Sequence, residues 1–305
     1  MPELVIEARK AFISELLGVH RILPFRKRRM VGPFIFMDHA GPVNLQPKEL
    51  SAMDVLPHPH IGLSTVSYLL GGAVMHRDGL GVEQEIRPGE VNWMTAGSGI
   101  SHSERFEDPG VLSQGSLEML QTWVALPEKA EETAPEFTNY KPGQMPTVDE
   151  GGLWMRVIAG DAYGLRSPVR THSPLFYIHA RLQPGARIDL PQGHTERAVY
   201  VVHGEVELGG VRYRPGQMLV FSPGASAVVK AVLDSTLMLL GGEPLGERFI
   251  WWNFVSSSKE RIEQAKADWK AGRIVLPPTD NKEFIPLPEA KGGPASAVPS
   301  PEVLS

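Results

Sequence analysis

The chain has 305 residues, enough for about two domains that each bury a core. Apolar residues make up 42% of it and charged residues 21%, which is ordinary for a globular protein, and the net charge of −5 gives no sign of a basic surface for nucleic acid. Cysteine is absent, which excludes disulfides, thiolate metal sites, iron–sulfur clusters and cysteine nucleophiles. Any bound metal ion would therefore need histidine, aspartate or glutamate ligands.

The beginning of the sequence has no apolar stretch of the kind found in a signal peptide, and it includes Glu3 and Glu7. No run approaches the length of about 18 apolar residues that a membrane helix needs. We therefore expect a cytoplasmic protein with no membrane segment and no direct nucleic-acid partner.

Short runs rich in β-branched and aromatic residues, separated by many of the 31 glycines and 27 prolines, predict an all-β fold. The clearest runs form two blocks, and the segment between them is rich in Pro, Glu, Lys and Thr without a sustained period. The predicted organisation is an N-terminal barrel with the metal site at 1–126, a linker at 127–152, a second barrel without metal ligands at 153–256, a helix and extension at 257–290, and a disordered tail at 291–305.

A helix is predicted over 259–271, where Ser257 and Glu260 form a capping box and Gly272 provides the stop. Its apolar stripe consists of Ile262, Ala265 and Trp269.

The two blocks look like copies of one unit. Tyr68-Leu69-Leu70-Gly71-Gly72 aligns with Tyr200-Val201-Val202-His203-Gly204, and Arg87-Pro88-Gly89 aligns with Arg214-Pro215-Gly216. Each block reads as strand, glycine turn, strand, Pro-Gly turn and strand, which is typical of a small β-barrel. The sequence therefore predicts a duplicated barrel.

A metal site is predicted in the first copy, from His58-Pro59-His60 and His102-Ser103-Glu104. Residues i and i+2 of a strand face the same side, so two neighbouring strands would bring three imidazoles and one carboxylate together. Such a mononuclear site suits Fe(II), Mn, Co, Ni, Cu or Zn. The alternative is four polar residues on solvent-facing strand sides, but both pairs lie in apolar sequence.

The second copy lacks these ligands. Counting from the aligned turns, Leu190 and Gln192 replace the first pair, and Val229 and Ala231 replace the second. His194 is two residues out of register, and we do not expect it to be a ligand. One metal ion per chain is predicted.

Three other motifs have weaker interpretations. Gly97-Ser98-Gly99 lacks the third glycine of a dinucleotide fingerprint, so no organic cofactor site is predicted. We place Asp38-His39-Ala40-Gly41-Pro42 in a loop, with turn hydrogen bonds favoured over metal binding. We place His76-Arg77-Asp78 at the barrel rim, in a surface role or in contact with substrate.

The chain resembles the pirins, a family within the cupin superfamily, over about residues 10–275. The resemblance depends on DHAGP at 38–42, HPHIGLSTV at 58–66 and IRPGEVNWMTAGSGISHSE at 86–104. It implies two tandem cupin-type β-barrels (a bicupin), with iron in the first bound by His58, His60, His102 and Glu104. Thr65 stands where the usual cupin motif has a carboxylate, a departure that pirins share.

The resemblance implies two functions. The first is a quercetin 2,3-dioxygenase type of oxygenase, in which Glu104 is the catalytic base that accepts the 3-hydroxyl proton of a flavonol or a similar enolic aromatic. The alternative is a non-catalytic, iron-dependent module that binds a protein partner and regulates transcription or metabolism. A structural zinc barrel without turnover is a third interpretation, and fold alone does not decide among them.

Overall fold

The computed structural model describes residues 1–14, 17–44, 52–106 and 116–288, so the predicted disordered tail lies outside the described residues. The strands of the first part of the chain are β1 (Leu4–Glu7), β2 (Arg9–Phe12), β3 (Gly18–Leu23), β4 (Phe34–Val43), β5 (Val55–His60), β6 (Leu63–Gly71), β7 (Val74–Asp78), β8 (Glu83–Ile86), β9 (Val91–Thr95), β10 (Ile100–Arg105), β11 (Leu117–Ala125) and β12 (Glu136–Tyr140).

The remaining strands are β13 (Thr147–Glu150), β14 (Leu153–Ala162), β15 (Leu165–Arg166), β16 (Leu175–Leu182), β17 (Arg187–Asp189), β18 (Glu196–His203), β19 (Val206–Leu208), β20 (Val211–Tyr213), β21 (Gln217–Phe221), β22 (Val228–Ala231), β23 (Ser235–Gly242), β24 (Phe249–Trp251) and β25 (Phe254–Ser256). Helix α1 spans Lys259–Lys270, and 3-10 turns occur at Glu128–Ala130 and Pro142–Gln144. No helix within the described ranges combines the length and apolar character needed to cross a membrane. The cytoplasmic location stays a prediction.

The chain divides into two compact units. One, here called the histidine unit, comprises residues 10–21, 37–139 and the chain from 246 onward. The other, here called the apolar unit, comprises residues 1–9, 22–36 and 140–245. Each unit therefore uses segments that are far apart in sequence, and the domain boundaries given above stay predictions.

Each unit contains one large and one small antiparallel sheet, and the histidine unit also contains the two-stranded sheet β24-β25. In the histidine unit the large sheet has the order β12-β9-β6-β11-β4-β3-β2 and the small sheet the order β5-β10-β7-β8. Leu69 and Met119 of the large sheet pack against Val74 and Ile86 of the small one in a buried apolar cluster. Burying each such side chain contributes roughly 1.5–3 kcal/mol. In the apolar unit the orders are β1-β21-β18-β23-β16-β14-β13, with β15 beside β14, and β17-β22-β19-β20.

The predicted duplication is confirmed by these strand orders. The small sheet β5-β10-β7-β8 has its counterpart in β17-β22-β19-β20, and β9-β6-β11-β4 has its counterpart in β21-β18-β23-β16. The predicted all-β fold of two barrels with a C-terminal helix is confirmed as well. The segment 127–152, predicted as a linker, contributes β12 and β13 to the edges of the two large sheets.

In the second copy, the predicted counterparts of His58 and His60 are wrong by two positions in the sequence. In the small sheets His102 pairs with His58, and Val229, its counterpart, pairs with Ile188. The counterparts of His58 and His60 are therefore Ile188 and Leu190, not Leu190 and Gln192. A shift of two residues keeps the same strand face, so the conclusion is unchanged: these positions form part of an apolar core, together with Val229 and Ala231.

Helix α1 forms where the sequence predicts it, but its N-cap is Ser258 and not Ser257. The Ser258 hydroxyl accepts a hydrogen bond from the backbone N–H of Arg261 at 3.2 Å, whereas Ser257 donates to the buried carboxylate of Glu131. Gly272 has φ +67, as its predicted role in ending the helix requires. The predicted apolar stripe is buried against β25 and consists of Ile262, Ala265 and Trp269.

Candidate metal centre

Strands β5 and β10 bring three histidines together. They pair antiparallel, with His102 opposite His58 and Ile100 opposite His60. Alternation along each strand turns the imidazoles to one side, where the ligand-type nitrogens of His58, His60 and His102 all lie within 4.8 Å of one another. Within the described residues, these three histidines form the group of three or more histidine or carboxylate side chains whose ligand atoms lie close enough together to hold one metal ion. The three imidazoles thus converge as their spacing predicts.

Backbone carbonyls fix two of the three rings. His58 Nδ1 lies 2.9 Å from the carbonyl oxygen of Leu56, and His60 Nδ1 lies 3.2 Å from that of Asn253. A carbonyl oxygen only accepts hydrogen bonds, so in both rings Nδ1 carries the proton and donates it. Nε2 of each neutral ring is then left with a free lone pair, which is the form that binds a metal.

The spacing of the nitrogens fits a shared cation. His60 Nε2 lies 3.1 Å from His102 Nε2, and the ring of His58 lies 4.4 Å from that of His102, centroid to centroid. Two nitrogens that each lie about 2.1 Å from one ion are about 3.1 Å apart when the angle between them is about 95°. Because Nε2 of His60 is an acceptor, at this distance His102 Nε2 either donates its proton to it or shares a cation with it. The donor set and its geometry therefore fit a divalent metal ion.

Burial keeps the three imidazoles neutral. It lowers the pKa of His58 to about 4, and it lowers the pKa values of His60 and His102 well below the usual range, with further lowering from the neighbouring histidines. At pH 7 all three rings are therefore unprotonated at one nitrogen, as metal binding requires.

Glu104 lies beside this group without belonging to it. A strand irregularity falls between His102 and Glu104 in the pairing with β5, at the point where the prediction assumes a regular i, i+2 spacing. The carboxyl is 6% exposed, and burial raises its pKa to about 7, since no hydrogen bond to it within the described ranges offsets the burial. Its roles as fourth ligand and as base stay predictions.

Two residues of the site were missed at the sequence level. His76 and Asp78 are buried, at 5% and 0% exposure, and are not rim residues with a surface role. His76 Nδ1 lies 3.3 Å from His102 Nδ1, and His76 Nε2 lies 3.0 Å from Asp78 Oδ2. The signal was available, because His76-Arg77-Asp78 repeats the alternation of His58-Pro59-His60 on a strand that pairs with β10.

Asp38 and His39 lie in strand β4, so the predicted loop at 38–42 is wrong. Arg21 donates two hydrogen bonds to the Asp38 carboxylate, at 2.9 and 2.8 Å, and His39 Nε2 lies 2.9 Å from Glu118 Oε1. These cross-strand partners satisfy the polar groups within the sheet. The loop prediction depends on the turn residues Gly41 and Pro42, and it takes no account of these cross-strand partners.

The opposite face of β10 binds the C-terminal segment. Ser101 Oγ donates to the carbonyl oxygen of Val275 at 2.6 Å, and Ser103 Oγ donates to Asp280 Oδ2 at 2.6 Å. Arg105 makes a two-point contact with the same carboxylate. Ser101 and Ser103 face away from the histidines, as the alternation predicts.

The wall opposite the histidines is part aromatic and part amide. The ring of Trp123 on β11 lies 5.2 Å from that of His60, so this face of the large sheet is turned toward the histidines of the small sheet. On the same face, Ser67 Oγ donates to Gln121 Oε1 at 2.7 Å. Trp123 and Gln121 therefore present a ring and an amide on the face of the large sheet that is turned toward the histidines.

Comparison with known proteins places the chain in a family. A model of pirin matches residues 17–124, and a model of the pirin C-terminal cupin domain matches residues 177–275. A pirin-like protein of Caulobacter vibrioides is 54% identical over 291 residues, which cover 95% of this chain and 100% of that protein. The chain belongs to the pirin family. The resemblance stated from the sequence is confirmed.

Two other pirin-fold relatives are informative. Human pirin is 35% identical over 223 residues, covering 70% of this chain and 75% of the human protein. The crystal structure of a quercetin 2,3-dioxygenase from Acinetobacter baumannii superposes with a TM-score of 0.86 at 31% identity, covering 96% of this chain and 97% of that one. The whole two-barrel fold is thus shared with a protein that carries the name of an oxygenase.

Proposed function

We propose that this pirin binds one divalent metal ion, iron(II), through Nε2 of His58, His60 and His102, with Glu104 as the fourth ligand. The observation that carries the proposal is the convergence of one nitrogen from each of three buried imidazoles within 4.8 Å, together with the hydrogen bonds at Nδ1 that leave Nε2 of His58 and His60 unprotonated. The counterpart positions in the apolar unit are apolar, so one ion per chain is expected.

We further propose an oxygenase reaction of the quercetin 2,3-dioxygenase type on a flavonol or similar enolic aromatic. The bound metal would supply a Lewis acid that favours the ionised form of the substrate hydroxyl. Glu104 would accept the 3-hydroxyl proton, since its carboxyl is buried beside the histidines without a hydrogen-bond donor in the described ranges. Trp123 and Gln121 would contact the aromatic rings and hydroxyls of the substrate. The structural similarity to the A. baumannii protein supports this assignment.

The test is aerobic incubation of iron-loaded protein with quercetin, with flavonol absorbance and released carbon monoxide as readouts. We expect turnover in the wild type and in His194→Ala, which keeps the three histidines. We expect none in His60→Leu, which loses a ligand and its metal. Unchanged quercetin in the presence of wild-type protein with iron confirmed at one per chain would refute the activity on this substrate.

Near-complete burial favours a second candidate, an iron-dependent protein-binding module. His58 and Glu104 are 7% and 6% exposed, and His60 and His102 are 1% exposed, which leaves little open surface at the cluster. A change in the charge of the iron would then alter the protein surface, and through it the affinity for the protein partner. Hydrogen exchange of the Fe(II) and Fe(III) forms tests this candidate: protection that changes on surface strands supports it, and identical exchange in both states excludes a redox switch.

A further inference from the structure

A chain of buried polar groups leads away from His102 to the start of a turn. Asp78 Oδ1 accepts hydrogen bonds from the backbone N–H groups of Leu80 at 2.9 Å and Val82 at 3.2 Å. Asp78 Oδ2 lies 3.0 Å from His76 Nε2, and His76 Nδ1 lies 3.3 Å from His102 Nδ1. Every member of the chain from carboxylate to metal-facing ring is at most 5% exposed.

The direction of each hydrogen bond in this chain follows from the carboxylate. An ionised carboxylate only accepts, so His76 donates from Nε2. The His76 tautomer with its proton at Nε2 has a lone pair at Nδ1, which accepts the Nδ1 proton of His102. Neutral His102 is left with its lone pair at Nε2, the atom that lies 3.1 Å from His60 Nε2.

We propose that His76 and Asp78 are positioning residues of the metal centre, which hold His102 in the tautomer that presents Nε2 to the metal. This inference rests on the proposed metal site and extends it by two residues that do not touch the ion. His58 and His60 use backbone carbonyls for the same purpose. The Nδ1 proton of His102 is instead accepted by a side chain. Of the three ligands, His102 is therefore the one whose tautomer depends on residues that can be substituted.

Packing fixes the orientation of His76. The ring of Phe137 stacks on it with centroids 4.5 Å apart and an angle of 20° between the planes. The ring of His102 lies 5.2 Å away on a neighbouring strand. A ring held in this way does not flip freely, and a flip would replace Nδ1 by Cδ2 and Nε2 by Cε1, so both nitrogens stay directed at their hydrogen-bond partners.

Asp78→Asn tests the direction of the chain with a minimal change of shape. The two backbone N–H groups need an oxygen at the Oδ1 position, which places the amide NH₂ at the Oδ2 position. That NH₂ donates to His76 Nε2, so the proton of His76 moves to Nδ1 and points at His102 Nδ1. His102 then carries its proton at Nε2, where the metal should bind. We expect Zn(II) affinity, measured by competition with a chromophoric chelator, to fall about 10- to 100-fold.

Substitutions of His76 separate the acceptor from the ring. His76→Phe keeps the stacking and removes the acceptor, and we expect a loss of about 10-fold or more. His76→Asn places an amide oxygen near the position of Nδ1, and we expect it to recover most of that loss. Arg77→Gln is the matched control, since Arg77 lies between the two residues, on the other strand face, and contacts Glu83. We expect wild-type affinity from it.

A measurement on the wild type does not depend on how the variants fold. Long-range ¹H–¹⁵N correlation on the Zn(II)-loaded protein should show His76 protonated at Nε2 only. A proton at His76 Nδ1, or wild-type Zn(II) affinity in both Asp78→Asn and His76→Phe, would overturn the inference while leaving the metal centre in place. Wild-type protein that binds neither Zn(II) nor Co(II) would overturn the proposed metal centre itself, and the positioning role with it.

Discussion

The contact between Arg105 and Asp280 should stabilise the fold behind the metal-site strands by a measurable amount. Arg105 donates from Nε and Nη2 to the two carboxylate oxygens, both at 2.7 Å, and Ser103 Oγ donates to the same group at 2.6 Å. The two charged side chains are 15% and 13% exposed, so solvent screens them only in part. A fully exposed pair contributes about 0–1 kcal/mol, and a hydrogen bond to a charged group about 1.5–3 kcal/mol. We expect a coupling energy of about 2 kcal/mol at pH 7.

The coupling energy between Arg105 and Asp280 should depend on pH with a definite sign. Burial alone would raise the pKa of Asp280, but the hydrogen bonds from Arg105 and Ser103 outweigh it and lower the pKa below its usual value. An unfolded aspartate titrates near about pH 3.9, so in acid the unfolded state binds more protons than the folded state. The stabilisation is therefore fully present above that pH and is lost as the pH falls through the lower pKa of the folded state.

The assay is urea unfolding of wild type, Asp280→Asn, Arg105→Gln and the double variant, from pH 7 to the lowest pH at which the wild type stays folded. The cycle removes the separate contact of Arg105 with Asp54 from the result. Asp161→Asn is the control, since its contact with Arg166 is largely exposed and should change stability by less than about 0.5 kcal/mol. A coupling below about 0.5 kcal/mol at pH 7, or one that grows as the pH falls, would refute the reasoning.

Three further substitutions have expected outcomes. Glu131→Gln should lower the melting temperature by several degrees, because it breaks a buried ion pair with Arg248, which costs about 3–5 kcal/mol, whereas Glu132→Gln at the neighbouring, exposed position should have little effect. Gly62→Ala should prevent stable folding as judged by circular dichroism, since Gly62 has φ +68 and a Cβ there would overlap a carbonyl oxygen of β25; wild-type melting would contradict this. Ser258→Ala should cost about 1 kcal/mol of unfolding free energy and Ser258→Asp almost none, because Asp also caps a helix.

The fold could be predicted from the sequence because its cues are local. Glycine and proline turns recur at matching places in the two copies, and the strands between them carry apolar residues on the face that becomes buried. The error at Ser257 has a distant cause: either of two adjacent serines could cap the helix, and the choice between them depends on Glu131, which lies far away in sequence and binds Ser257. Long-range partners of this kind are not visible in a single sequence.

The errors near the metal centre have the same origin. The turn residues Gly41 and Pro42 predict a loop at Asp38, but Asp38 lies within the sheet, where it accepts a bidentate contact from Arg21 on the adjacent strand. The spacing of His102 and Glu104 predicts a shared face only for a regular strand, and the pairing of β10 with β5 is irregular between these two residues. Period-two reasoning is thus reliable for His58 and His60 and weaker across a bulge.

The metal centre depends on parts of the chain that contain no ligand. The proton at His60 Nδ1 is fixed by the carbonyl oxygen of Asn253, between β24 and β25, and the back of the ligand strand is bound by Asp280, beyond the helix. A division of the sequence into barrels assigns both residues to segments outside the first barrel, yet both belong to the histidine unit. Ligand geometry here is therefore a property of the folded unit as a whole. That explains why spacing alone identifies the three imidazoles but not the groups that decide which nitrogen each of them offers.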